Sequence, residues 1–235
     1  MLYLHEVHRV HGRHEDAFER HVDEDWLAAL AATDGARLAW HLKLAHGTGR
    51  AYFHITITAL RDGNAYEQLA RSVQGGSLQS WAAHADTLRH DVTGKLTLPV
   101  SWAPPVPDFE AIPVDGEPRA QALFMEDSAW PHEARLDDYL EAARTHYAPS
   151  LSVEHRNQRS LLELVSVFQA ALGAQRRREI ILWQRVLFPE RLPALFTRDL
   201  PDHVKAPGTW MHDALEVRDD WESRLLRTTK HSPLQ

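Results

Sequence analysis

Between Phe53 and Ala59 the chain alternates strictly. Phe53, Ile55, Ile57 and Ala59 are apolar, and His54, Thr56 and Thr58 between them are polar. A period of two with this many β-branched residues commits the segment to a strand with two unlike faces, because successive side chains leave a strand on opposite sides. The run before it does the same: Leu38, Trp40, Leu42 and Leu44 alternate with Ala39, His41 and Lys43. The loop His46-Gly47-Thr48-Gly49 between the two runs completes a hairpin. A lone hairpin is marginal in water, so the rest of the chain must cover this one.

The flanking segments supply the cover. Leu2 to Val10 reads as a strand, broken at Gly12. A helix is expected from about His14 to Ala32, with Phe18, Val22, Trp26, Ala29 and Leu30 on its apolar stripe and Glu15, Asp16, Glu19, Asp23 and Glu24 toward water. Asp34-Gly35 ends it, and the hairpin runs from Arg37 to Leu60. Asp62-Gly63-Asn64 opens a second helical stretch, interrupted at Gly75-Gly76 and carried on to Leu88. Gly94 precedes an expected last strand, Lys95 to Trp102. The order β-α-β-β-α-β is the ferredoxin-like pattern.

Residues 104–119 carry Pro104, Pro105, Pro107, Pro113, Pro118 and Gly116, the composition of a stiff, extended linker. The pattern then restarts. A strand from Gln121 to Ser128 is followed by a helical stripe (Leu136, Tyr139, Leu140, Ala143, Tyr147). Leu161 to Leu172 and Glu179 to Phe188 form a second hairpin around Gly173-Ala174-Gln175. Helical stretches at Leu192–Phe196 and Trp210–Val217 and a strand from Glu222 to Thr229 close the series. Trp81, Arg89 and Asp91 lie 129 positions before Trp210, Arg218 and Asp220, and Leu4 lies 121 before Met125. We therefore expect an internal duplication: an α+β fold of two ferredoxin-like repeats, 1–103 and 120–229, joined by the linker and ending in a tail, 230–235.

Bulk properties exclude several classes. The 235 residues are 43% hydrophobic and 25% charged, ordinary values for a globular chain. A net charge of −7 leaves no basic footprint for nucleic acid. With no cysteine there are neither disulfides nor thiol nucleophiles. No apolar run approaches the ~20 residues of a membrane span. The chain begins on a strand pattern rather than on a basic stretch and an apolar core, so a signal peptide is not expected and a cytoplasmic location is. No glycine-rich phosphate loop follows a strand and no Gly-x-Ser-x-Gly is present, which removes nucleotide-dependent and serine-hydrolase readings.

Two such repeats side by side resemble the dimeric α+β barrel superfamily fused into one chain, with two four-stranded sheets facing each other and helices outside. Within it, Leu4-His5-Glu6-Val7, the helix end Trp26-Leu27 and the strand Ala39-Trp40-His41 look most like NIPSNAP-like proteins. The superfamily includes cofactor-free monooxygenases, polyketide cyclases, muconolactone isomerases, EthD-like proteins and haem enzymes. The resemblance thus implies small-molecule chemistry without naming the reaction. It also implies that one chain supplies both sheets, as a monomeric pseudo-dimer or as a homodimer.

If helices cover the apolar strand faces, the polar faces meet between the sheets. That places Tyr52, His54, Thr56 and Thr58, with His41 and Lys43, inside. Aligning Met125 with Leu4 turns His5 and Glu126 inward together, and makes His5 and His54 candidate cross-strand partners. The expected site is a polar pocket holding His5, His41 and His54 as acid or base, with Tyr52, Thr56, Trp40 and Glu126 against substrate and no cofactor needed. The alternative is a metal held by His5, His54 and Glu126, or haem on the same histidines. A third possibility is a non-catalytic ligand-binding or structural protein whose barrel is filled. Because the position matching His54 in the second repeat is Ile180 or Ile181, the polar site is expected in the N-terminal half. His5, His8, His11 and His14 recur every third residue, which a strand scatters over both faces. The recurring Arg89-His90-Asp91 and Arg218-Asp219-Asp220 read as structural ion pairs, and Arg176-Arg177-Arg178 as a solvated turn.

Overall fold

In the computed structural model, which describes residues 1–151, 160–174, 176, 178–199 and 201–235, eight strands close into one barrel. Gln175 and Arg177 of the second hairpin turn lie outside the described residues. The strands are β1 (Leu2–Val10), β2 (Ala36–Leu44), β3 (Phe53–Leu60), β4 (Arg89–Pro99), β5 (Leu123–Trp130), β6 (Leu162–Leu172), β7 (Ile180–Val186) and β8 (Asp220–Thr228). Their order around the barrel is β1-β3-β2-β8-β5-β7-β6-β4, and every pairing is antiparallel. Each half contributes four consecutive staves. The halves meet edge to edge, through Leu42–Leu44 against Leu226–Thr228 on one side and Leu96–Pro99 against Phe168–Leu172 on the other. The barrel expected from the resemblance is thus closed, and among the described residues no edge strand is left to attract another chain.

Helices pack outside. The first is α1 (Glu15–Arg20), a π-helical segment (His21–Trp26) and α2 (Leu27–Ala31) in one continuous rod. Then come α3 (Gly63–Gly75), whose N-cap Asp62 accepts a hydrogen bond from the Ala65 amide at 2.9 Å, and α4 (Gln79–Leu88). The second half repeats the rod as α5 (Leu136–Ala142), a π-helical segment (Ala143–Tyr147) and α6 (Ala148–Ser150). Two short helices follow, α7 (Leu192–Thr197) and α8 (Trp210–Asp213). β4 starts at Arg89 rather than after Gly94, which pairs within the strand opposite Glu6. Gly173, at φ +79° in the β6–β7 turn, comes so close that a Cβ on it would stand 2.4 Å from the Gly94 carbonyl oxygen.

The faces are disposed the other way round from the sequence expectation. The barrel interior takes the apolar faces: Tyr3, Trp40, Leu42, Ile55, Ile57, Phe124, Phe168, Ile181, Trp183 and Leu226 form one buried cluster. Trp183 stacks on Phe124 at 5.0 Å and meets Trp40 edge-on at 5.8 Å. Inner faces of eight strands see only one another, so large apolar side chains fill that space best. The polar faces of β1, β2 and β3 look outward, where the first rod brings Asp23, Glu15 and Glu19 to satisfy them.

The Pro-rich stretch is more than a spacer. Val106, Phe109 and Ile112 belong to the interior cluster, and Arg37 Nη1 donates to the carbonyls of Phe109 and Ile112, both at 2.9 Å. The segment plugs one end of the barrel. Replacing Ile112 with Ala is expected to cost about 2–5 kcal/mol in urea unfolding, as for a core aliphatic. A cost below about 0.5 kcal/mol would return the segment to linker status.

Candidate functional site

The expected residues divide between two sides of the sheet. His5 and Glu126 do meet inside the barrel: His5 Nε2 donates to Glu126 Oε2 at 2.6 Å, with both side chains buried. Burial alone would raise the Glu126 carboxyl, but His5, Lys95 and Arg224 outweigh it and hold the group down to about 2. Trp40 shares this interior with the aromatic cluster. Opposite His5 on β3 stands Ile57, whereas His54 pairs with His8. His5 and His54 are therefore not cross-strand partners, and His5, His54 and Glu126 do not converge on a metal. Among the described residues, no three His, Cys, Asp or Glu side chains gather as a metal site. Tyr52, at φ +62° and 47% exposed, covers Gly12 instead of entering a pocket.

His41, His54 and Thr56 lie under the first helical rod. His41 Nδ1 donates to Asp23 Oδ1 at 2.6 Å, so its Nε2 accepts from His54 Nδ1 at 2.9 Å. His8 accepts from Arg89 Nη1 at 2.7 Å and donates from Nε2 to Thr56 Oγ1 at 2.9 Å. Phe18 packs over both His8 and His54, at 5.1 and 5.2 Å between ring centres. The space is filled. Burial first, then the neighbouring Arg89 for His8 and His41 for His54, hold both imidazoles well below their usual range. In the unfolded chain they take up protons below about pH 6.5, and in the folded chain they resist. Stability is thus complete above pH 6.5 and falls as pH drops below it, by up to about 1.4 kcal/mol per pH unit for each histidine. Melting temperatures at pH 7.5 and 5.5 should show this loss, and His54→Gln should lessen it. An equal loss in that variant would contradict the assignment.

An open space exists in the other half. A cavity of about 760 Å³ lies between the outer face of β5, β7 and β8 and the C-terminal helices. Leu151, Leu162, Leu182, Leu195, Phe196 and Trp210 give it an apolar wall, and Gly47 and Thr48 of the β2–β3 loop reach its mouth. One polar group of residues interrupts that wall. Asp127 Oδ1, Tyr139 Oη and Arg218 Nε are buried there with no hydrogen bond of full geometry among the described residues, although the Ser223 hydroxyl lies beside Asp127 and the Arg218 guanidinium beside Tyr139. Asp127 Oδ2 accepts from Gln184 Nε2 at 2.8 Å. Burial pushes the Asp127 carboxyl up, against the pull of its hydrogen bonds and of Arg218. The Arg218 guanidinium sits 5.8 and 5.3 Å from the ring centres of Trp210 and Trp221. Buried polar atoms without a full hydrogen bond beside an apolar cavity are what a ligand with one polar end would complete.

The overall fold recurs in solved structures. The shared fold is the dimeric α+β barrel. A protein from Lactobacillus acidophilus NCFM described as a "putative monooxygenase" superposes with TM-score 0.60 at 9% identity, covering 99% of this chain and 97% of that one. An anthrone oxidase-like protein gives 0.58 at 9% identity, over 97% and 91%. An uncharacterized NIPSNAP domain protein from Burkholderia xenovorans, 16% identical, matches 46% of this chain with 100% of its own at TM-score 0.38. No protein-family model matches the sequence, and no curated protein does. No helix among the described residues is long and apolar enough to cross a membrane.

Sequence reasoning missed Asp127, Tyr139 and Arg218. A signal was present: Asp127 stands 121 positions after Glu6 and Arg218 stands 129 after Arg89, so both halves place a carboxylate and an arginine at matching points. Burial raises Glu6 as it raises Asp127. In the N-terminal half, however, His8, Thr56 and Phe18 occupy the room beside that pair.

Proposed function

We propose that this chain binds a small apolar or aromatic molecule in the cavity of its C-terminal half and acts on it as an oxygenase-type enzyme, with Asp127 taking a proton from the ligand's polar end and Arg218 facing the negative charge that develops. One observation carries the reading: a carboxylate, a phenol and a guanidinium, each with a buried atom that makes no full hydrogen bond among the described residues, sit together on the wall of a largely apolar cavity. A carboxylate raised by burial is a stronger base than an ordinary one, and a buried guanidinium next to it stabilises an enolate or phenolate. The neighbouring folds of a "putative monooxygenase" and an anthrone oxidase-like protein support an oxygenase-type reading. Haem, which the superfamily resemblance admits, finds no imidazole on the described wall. The two phenols there, Tyr139 and Tyr147, are pushed up by burial and stay protonated.

The barrel itself we read as a duplicated ferredoxin-like unit. Both halves run in the strand order 4-1-3-2, and Phe18, Val22 and Trp26 on the first rod stand 121 positions before Tyr139, Ala143 and Tyr147 on the second. The barrel interior draws on both halves, so a single chain closes it. To test the ligand class, anthrone would be titrated against the intrinsic fluorescence of Trp210 and Trp221 while oxygen uptake is followed. Saturable quenching with oxygen uptake supports the reading. Quenching alone makes the chain a binding module, and neither signal from anthrone or from simple naphthols would remove the cavity from consideration.

A further inference from the structure

Asp127 has two oxygens in unequal surroundings, and the inequality is built from behind the cavity wall. Gln184, on β7, is fully buried, and its Nε2 donates to Asp127 Oδ2 at 2.8 Å. Its Oε1 accepts from the hydroxyl of Tyr147, the last residue of the second π-helical segment. We infer that Tyr147 and Gln184 are positioning residues which leave Asp127 Oδ1, to which no described residue donates a hydrogen bond of full geometry, as the oxygen that takes the proton; the Ser223 hydroxyl beside the carboxylate can turn to donate or to accept and so does not oppose it. The inference rests on the proposed function for its catalytic meaning, though not for its geometry.

The argument concerns what a side-chain amide can do. It presents a donor at one end and an acceptor at the other, so Tyr147 donating to Oε1 leaves only the NH₂ to face Asp127. A proton on Oδ2 would meet that NH₂ head on, two donors with no acceptor between them. The amide would have to turn over, and the Tyr147 hydroxyl would have to become an acceptor. Burial holds the Tyr147 phenol protonated, so its donor role is not lost by ionisation. A proton arriving at Oδ1 disturbs none of this. The relay thus makes one oxygen a hydrogen-bond acceptor in place and the other a base.

Comparison of the two halves supports a role beyond packing. The residue 121 positions before Tyr147 is Trp26, also at the end of a π-helical segment, and it stacks on Trp81 at 3.9 Å. Gln184 lies 126 positions after Thr58, its register equivalent, because Leu4 pairs with Thr58 as Met125 pairs with Gln184. The Thr58 hydroxyl has no hydrogen-bond partner among the described residues. The same backbone folds in the N-terminal half without the relay. Only the half with the cavity has it.

The test is a carbon-13 NMR titration of the Asp127 carboxyl, run alongside binding of 1-naphthol across the same pH range. Gln184→Leu removes the donor to the ionised carboxylate and should move the Asp127 midpoint up by about one pH unit. Tyr147→Phe, which removes one oxygen and keeps the fold if the larger change does not, should move it the same way by less, since the amide is then free to turn. The pH limb of naphthol binding should follow the Asp127 midpoint in both variants. An unmoved midpoint in folded Tyr147→Phe and Gln184→Leu would overturn the relay. A midpoint that moves as stated in a protein that binds no naphthol would uphold the relay and count against the functional reading alone.

Discussion

Asp127→Asn is expected to lower turnover by about 10²- to 10⁴-fold while leaving the melting temperature unchanged or slightly higher. Asparagine has the same shape, and its carbonyl can still accept from Gln184 Nε2. What it loses is the ability to take a proton and to carry charge beside Arg218. The two readouts move independently for a physical reason. Burial raises the Asp127 carboxyl in spite of Arg218, Gln184 and Ser223, so the ionised group weakens the folded state near neutral pH. A neutral isostere removes that cost. Loss of activity without loss of stability distinguishes a reacting group from a structural one. A variant retaining more than a tenth of wild-type turnover on a substrate of the proposed class would remove Asp127 from the chemistry.

The second large effect concerns stability alone. Glu126→Gln is expected to destabilise the protein by about 3 kcal/mol near neutral pH, within the 3–5 kcal/mol range for breaking a buried ion pair by removing one partner. Glu126 accepts from His5 at 2.6 Å and from Arg224 Nη1 at 3.3 Å, in the barrel interior. Its carboxyl titrates near 2 in the fold against about 4.5 in the unfolded chain. A depressed acid contributes stability that is whole above about pH 4.5 and is lost as pH falls from there toward 2. Urea unfolding of wild type and variant should therefore show a gap near pH 7 that narrows through this window. A gap under about 1 kcal/mol at pH 7, or one independent of pH, would mean that the pair contributes little.

These two carboxylates are neighbours in the chain and face opposite sides of one strand, which shows how far the sequence could be read. Period two on β3 and β1, the stripe on the first rod and the capped start of α3 are local properties, and each element lies close to where its pattern puts it. The alignment of Leu4 with Met125 was enough to turn His5 and Glu126 toward the same space. The same reasoning put His41 and His54 in the wrong layer. Alternation says that a strand has two unlike faces, and nothing in it says which face meets the other sheet and which meets a helix. Here the first rod carries Asp23 and Glu15 on the side that covers β2 and β3, so the polar face finds partners under the helix. The apolar face is left for the barrel.

The cavity was out of reach for a related reason. Both halves have a buried carboxylate near an arginine. Whether the space beside the pair is open depends on the volumes of residues from several elements: His8, Phe18 and Thr56 in one half, Ala129, Tyr139 and Leu182 in the other. Nor does periodicity reveal that the proline-rich stretch returns to seal the barrel with Phe109 and Ile112.

By itself, then, the sequence determined the order of strands and helices and the pairing of each hairpin, because those follow from dihedral preferences and from the repeat of side chains along one element. Closure of the barrel, the direction of each strand face, the plug and the location of an open cavity were decided only in the tertiary structure. They depend on how side-chain volumes and buried polar groups from distant segments fit together, and that sum is taken in space rather than along the chain.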